Sequence, residues 1–167
     1  ESFMDSLRKS GDSAGGRVFV KAENVPVGIG QPIYDRLDAE LAFAFMGLNA
    51  VKGVEIGEGI KAARLKGSQN ADQMDSKAKD HFLSNHSGGI LGGISTGQTV
   101  YATVSIKPTP SIRLPLATLN SQMQDTTVST KGRHDPCVSI RAVPVLEALM
   151  ALVLMDLILQ NHAQTGW

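Results

Sequence analysis

The run from about Pro144 to Ala163, PVLEALMALVLMDLILQNHA, sets the strongest limit on what this chain can fold into. About 20 residues of helix span roughly 30 Å, the width of a small domain. Apolar side chains occupy more than one face of such a helix, so it must be covered on several sides. Glu147 and Asp156 interrupt the run and Pro144 opens it. It therefore reads as a buried helix, too short and too interrupted to span a membrane. Strands precede it in the chain, and a helix sandwiched by sheet is the architecture that follows.

Gln98–Lys107 gives the cleanest strand pattern, with Val100, Ala102, Val104 and Ile106 alternating against Thr99, Tyr101, Thr103 and Ser105. Arg17–Val25 reads as a second strand with one buried face, and Val51–Ile56 as a third. Between them Leu37, Leu41, Phe45 and Leu48 recur at helical spacing, with Asp35 as the expected N-cap and Gly47 near the end. Phe3 and Leu7 place a further helical turn in Glu1–Lys9, which the glycines of GDSAGG end. Glu58–Lys66 is expected to be a short helix closed by Gly67. Ser68–Gly88 is a long polar loop, and Leu114–Thr130 is ambiguous, with a strand expected around Thr126–Thr130.

The balance of 16 basic and 16 acidic residues leaves no net charge, which gives no footprint for nucleic acid or an anionic membrane. Aromatic residues make up 5%, too few for a base-stacking surface. Cys137 is the only cysteine, so no internal disulfide forms, which suits a reducing cytoplasm. The four histidines and Cys137 form no metal-ligand spacing, so no zinc site is expected. No secretory leader pattern opens the chain. Its first residue is Glu1 rather than Met, which reads as a fragment or a processed product.

Three clusters can carry chemistry. Gly88–Gly97, GGILGGISTG, offers backbone N–H groups that can converge on an anion. It lacks both the phosphate-loop and the dinucleotide spacing, and a set of tight turns is the plainer reading. Lys107–Ile112, KPTPSI, ends the best strand with a cation and two hydroxyls on a loop stiffened by prolines. An ordinary proline turn with a solvated lysine is the alternative. Ser129–Glu147 places Arg133, His134, Asp135 and Cys137 against the mouth of the apolar helix. Arg133 can fork onto a phosphate or a carboxylate, or simply pair with Asp135 at the surface. Cys137 reads as a reactive thiol or, more commonly, an inert buried one.

Four motifs in order, LNAVKGVEIG at Leu48–Gly57, SNHSGGILGGISTG at Ser84–Gly97, KPTPSI, and TKGRHDPCVSIRAVPVLEA at Thr130–Ala148, closely resemble the chorismate synthase family. The resemblance runs from GDSAGG to about Gln164. It implies an α+β fold with helices sandwiched between antiparallel sheets, here truncated. It implies a lyase that converts 5-enolpyruvylshikimate 3-phosphate to chorismate by 1,4-elimination of phosphate. It also implies reduced FMN as cofactor, with NADPH needed only to reduce the flavin, and a cytoplasmic homotetramer without membrane or nucleic-acid partners. Carried over by motif, the flavin contacts are Asn49, Ala50, Gly92, Lys107, Pro108, Thr109, Pro110, Ser111 and Arg133. Asp135 is the proton-handling, catalytic carboxylate, and His134 and Cys137 are structural neighbours. The family's chains are about twice this length. Their Gly-Glu-Ser-His-Gly and Ser-Ala-Arg-Glu-Thr motifs, with two catalytic histidines and several arginines, have no counterpart here. The whole chain, 1–167, is thus expected to be the C-terminal FMN-binding portion of one domain, inactive or nearly so by itself. The alternative is a non-catalytic flavin- or phosphate-binding fragment.

Overall fold

In the computed structural model the described residues are 2–78 and 80–166. A three-stranded antiparallel sheet carries the core. Its centre is β5 (Val100–Ile106), flanked by β1 (Gly16–Ala22) and β2 (Val51–Ile56). Val104 stands opposite both Val18 and Val54, and a bulge shifts the β2 register between Val51 and Gly53. The period-two pattern sends Val100, Ala102, Val104 and Ile106 to one face, where all four are buried.

Two helices cover that face. Helix α2 (Leu37–Met46) inserts Leu37, Leu41 and Phe45, each fully buried. Helix α4 (Ser139–Thr165) inserts Ala142, Leu146, Met150, Leu154 and Leu157. The i, i+4 and i, i+3 spacing keeps these α4 residues on one stripe, packed against β1 and α2. The other side of the helix layer is apolar and open. Phe43 and Met46 on α2, and Ile140, Leu152, Met155 and Leu159 on α4, are exposed. The sheet thus covers the helices from one side only. Among the described residues no second sheet closes the sandwich. At 27 residues α4 is long and apolar enough to cross a membrane, so the expectation that it is too short for a span fails on length. Its docked stripe makes it a helix of the core.

Several local expectations are corrected. Helix α4 begins at Ser139 and runs through Pro144, because Val138 accepts the N–H groups of Arg141 and Ala142 and starts the first turn upstream of the proline. Asp35 does not cap α2. It sits at φ +57°, and Arg36 is the N-cap, with no side-chain capping bond. The Leu37 N–H is instead taken by the carbonyl of Gly93, a long-range cap. The segment after Glu58 is a 3₁₀ turn, Gly59–Arg64, and Gly67 opens a four-residue helix, α3 (Gly67–Asn70), rather than closing one. Residues 114–130 form a hairpin of two strands, β6 (Leu116–Leu119) and β7 (Asp125–Val128), both exposed throughout. The glycine cluster does contain a tight turn. Strands β3 (Ile90–Leu91) and β4 (Ile94–Ser95) pair across Gly92 and Gly93, both at positive φ.

Gly57 shows why one of these glycines is needed. It sits at φ +58°, and a Cβ there would strike the His86 carbonyl oxygen and stand 2.7 Å from the Gly88 nitrogen. Gly57→Ala is expected to cost about 1–3 kcal/mol, read from a urea unfolding curve. A loss within experimental error would show that the His86–Gly88 turn yields freely.

Candidate functional site

Three chain segments meet around a cavity of about 210 Å³ at the base of the β6–β7 hairpin. The first runs from the last turn of α1 (Ser2–Ser10) and contributes Leu7, Arg8, Asp12 and Ser13. The second brings Ser111 and Arg113 from the end of the proline loop. The third brings Arg133, His134 and Asp135 from the turn before α4. Backbone bonds fix their relation. Arg113 N–H donates to Gly11 O at 2.9 Å, Ala14 N–H to Pro136 O at 2.8 Å, and Thr130 N–H to Ile112 O at 3.0 Å. Gly11 is glycine because a Cβ at its φ of +74° would lie 2.9 Å from the Arg113 Cβ.

The proline loop is tied in at both ends. The Lys107 N–H donates to Ala50 O at 2.9 Å, which joins the end of β5 to the turn after α2. Ala50 holds φ +71°, a left-handed conformation that aims its carbonyl at this strand end. The Ser13 hydroxyl donates to Thr109 O at 2.7 Å. Asn49, Ala50, Lys107, Pro108, Thr109, Pro110 and Ser111 therefore form one strip that leads into the cavity where Arg133 and Asp135 stand. Gly92 is not part of it. It lies on an exposed turn beside the N-terminus of α2, whereas Asn49 follows the C-terminus. The ten residues of α2 separate the two by roughly 15 Å.

The charges of the cavity are arranged unevenly. Asp135 is held by Arg141 of α4, with Nε to Oδ2 at 2.8 Å and an Nη2 bond to Oδ1 at 3.3 Å. Arg113 donates one N–H to the Gly132 carbonyl at 3.1 Å. Arg133 makes no ion pair among the described residues and stands exposed at the rim. Two buried polar atoms lack a partner, His134 Nε2 in the cavity lining and the Thr109 hydroxyl oxygen on the proline loop that leads to it. Buried polar atoms are nearly always satisfied, so such orphans mark a place where another molecule can bond. His134, expected from the resemblance to be a structural neighbour, thus lines the cavity, and so does Arg113, which no motif singles out; Arg141 reaches it only through Asp135. A histidine between an arginine and an aspartate gave no periodic signal of its direction. Cys137 lies outside the cavity lining, with Sγ 2.6 Å from the Ser139 hydroxyl.

Comparison with known proteins adds the family context. The family model for chorismate synthase matches residues 1–159. The chain is 57% identical over 166 residues to a chorismate synthase of Janthinobacterium sp. (strain Marseille), covering 99% of this chain and 45% of that protein. It is 59% identical to one of Thiobacillus denitrificans, covering 99% of this chain and 44% of that protein. A crystal structure of a chorismate synthase superposes with a TM-score of 0.76 at 33% identity, over 96% of this chain and 41% of the other. The chain thus spans less than half the length of the relatives it matches.

Proposed function

The chain belongs to the chorismate synthase family, and from that premise we propose that it is the C-terminal, FMN-binding portion of such an enzyme. The parent reaction is the 1,4-elimination of phosphate from 5-enolpyruvylshikimate 3-phosphate to give chorismate. The observation that carries this reading is the strip of Asn49, Ala50 and Lys107 to Ser111, with the orphaned Thr109 hydroxyl on it, that opens on a cavity lined by an unpaired arginine and the orphaned His134 Nε2. The residues fit a flavin phosphate and dione. Lys107 and Arg133 supply positive charge, Thr109 and Ser111 supply hydroxyls, and the prolines hold the loop at low entropic cost.

Bound reduced FMN would supply electron density to the substrate ring as the phosphate leaves, with no net oxidation. The chain's own residues then bind and orient. Asp135 presents a carboxylate to the cavity, oriented by the Arg141 fork, and is the group we assign to holding or moving the proton. Gly92, on its separate turn, would meet the flavin from the α2 N-terminus. NADPH enters only in reducing the flavin. A homotetramer in the cytoplasm belongs to the same reading.

The open apolar side of α2 and α4 supports the reading that a further portion of the protein belongs against it. The relatives have more than half their length beyond this match, and a covering sheet would complete the sandwich. With that portion go the family's catalytic histidines and most of its phosphosubstrate clamp. Catalytic groups that act as a unit do not lose rate in proportion to their number. The isolated chain, given chemically reduced FMN and the phosphosubstrate, is therefore expected to show no turnover. Chorismate formation by it would overturn that expectation. Flavin fluorescence on titration with FMN tests the cradle itself. Quenching that saturates in this chain supports the reading, and no change up to millimolar FMN counts against it. Binding without turnover even in a protein of the relatives' full length would instead favour a non-catalytic flavin- or phosphate-binding module.

A further inference from the structure

The loop 71–87 joins α3 to the glycine hairpin, and one carboxylate fastens its two ends together. Asp72 Oδ1 accepts the Ser84 hydroxyl at 2.6 Å and the His86 N–H at 2.7 Å. Its Oδ2 accepts the Ser87 N–H at 2.9 Å. The next residues continue the chain of bonds. Asn85 Nδ2 donates to Thr99 O at 2.8 Å, while its Oδ1 accepts the Gly89 N–H. Gln98 Nε2 donates to Ser84 O at 2.8 Å, and the Tyr101 hydroxyl donates to Asn85 O at 2.9 Å. The Thr96 N–H donates to Gly89 O, and the Leu37 N–H to Gly93 O. Bonded contacts therefore run from Asp72 through the base of the β3–β4 hairpin to the turn that carries Gly92.

We infer that Asp72 is a positioning residue for the Gly92 turn: by gathering the Ser84 hydroxyl and the N–H groups of His86 and Ser87, it holds the glycine hairpin where a flavin is to meet it. The inference rests on the flavin reading of the site. Little else ties the start of the loop to its end. Beyond the pin there is one strand-like bridge, Met74 with Phe82, and Met74 and Leu83 are exposed. A segment with so few buried apolar contacts opens locally at a fraction of the global cost. Losing the pin therefore loosens the 84–87 segment, leaving the hairpin base to the Asn85, Gln98 and Tyr101 bonds, while β1, β5 and β2 keep their core.

The device is sensitive to acid. Burial alone would push the Asp72 carboxyl up. The bonds from the Ser84 hydroxyl and the backbone N–H groups of Ser87 and His86 outweigh burial and hold it below the usual carboxylate range. A depressed folded-state value means that the pin holds fully above the ordinary carboxylate range. It is lost as pH falls through the lowered value. The other ionisable groups at this base are Tyr101 of β5, Glu58 with its partner Lys61, and His86. Burial raises the Tyr101 phenol, and the charges of Glu58 and Asp72 add to the rise, so it stays a neutral donor. Asp75, Lys77 and His81 lie on the loop itself.

The test uses Asp72→Ala and Asp72→Asn, in this chain and in a protein of the relatives' full length. Amide exchange is followed at Ser87, Gly89 and Gly92, and FMN binding by fluorescence. Asp72→Ala is expected to speed exchange at all three and to weaken FMN about tenfold or more. In the longer protein the half-saturating FMN concentration rises far more than kcat at saturating FMN falls. Asp72→Asn still accepts backbone donors, so it restores part of the affinity. Its exchange rates lack the acid-induced opening of the wild type, which separates Asp72 from His86. Fast exchange at Ser87 with unchanged FMN affinity would overturn the inference and leave the flavin reading standing. Absence of FMN binding by the wild-type proteins would overturn the flavin reading, and this inference with it.

Discussion

Replacing Phe45 by Ala is expected to cost about 3–5 kcal/mol of unfolding free energy, the range for truncating a fully buried aromatic ring. Phe45 has no exposed surface and sits where α2 meets the sheet and α4, so the vacated volume has rigid neighbours on every side. Against the roughly 5–15 kcal/mol that ordinarily stabilises a domain, that change alone removes a large part of the margin. Phe43, two residues earlier, gives the contrast. Its ring is 79% exposed on the open side of the helix layer. Phe43→Ala is expected to stay within about 0.5 kcal/mol in this chain. In a protein of the relatives' length the same change should cost several times more, because a covering portion would bury the ring. Urea unfolding followed by circular dichroism reads all three values. Equal effects of Phe43→Ala in the short and long proteins would show that nothing covers this face of α2.

The elements legible in the sequence were those with one face buried and one exposed. Strand β5 alternates because only one of its faces meets the helices, and α2 shows its i, i+4 stripe for the same reason. The β6–β7 hairpin was half read because neither of its faces is buried, so no periodicity marks Leu116–Leu119. Local punctuation misled twice. Pro144 looked like a helix start, although the turn at Val138 begins α4 earlier. Asp35 looked like a cap, although the Leu37 N–H is satisfied by a carbonyl nearly sixty positions away in sequence. The order of the four motifs carried the family. Sequence spacing could not carry the separation of Gly92 from Asn49, because only the packed length of α2 sets it. The Asp72 pin was invisible for a similar reason, since its three partners lie beyond a polar loop with no period of its own.

In a protein of the relatives' full length, Arg133→Gln and Lys107→Ala are each expected to weaken FMN binding by about tenfold or more. Each removes one charge-assisted contact, worth about 1.5–3 kcal/mol where the ligand shields it from water. The geometry separates the two roles. Lys107 follows β5, with its backbone N–H already engaged by Ala50, so only its ammonium group is free to meet a ligand. Arg133 stands at the cavity rim beside Ser111 and His134, with Asp135 already neutralised by Arg141. That ion pair leaves the Arg133 guanidinium to an incoming anion instead of its own neighbour. If both cations face one phosphate, the double variant loses less than the sum of the single losses. If they hold different parts of the flavin, the losses add. Riboflavin, which lacks the phosphate, sharpens the assignment. A residue that serves the phosphate changes FMN affinity and leaves riboflavin affinity as it was, whereas one that serves the ring lowers both. FMN affinity unchanged in both single variants would place Lys107 and Arg133 outside the site and leave the carry-over from the family's motifs without support at its two charged positions.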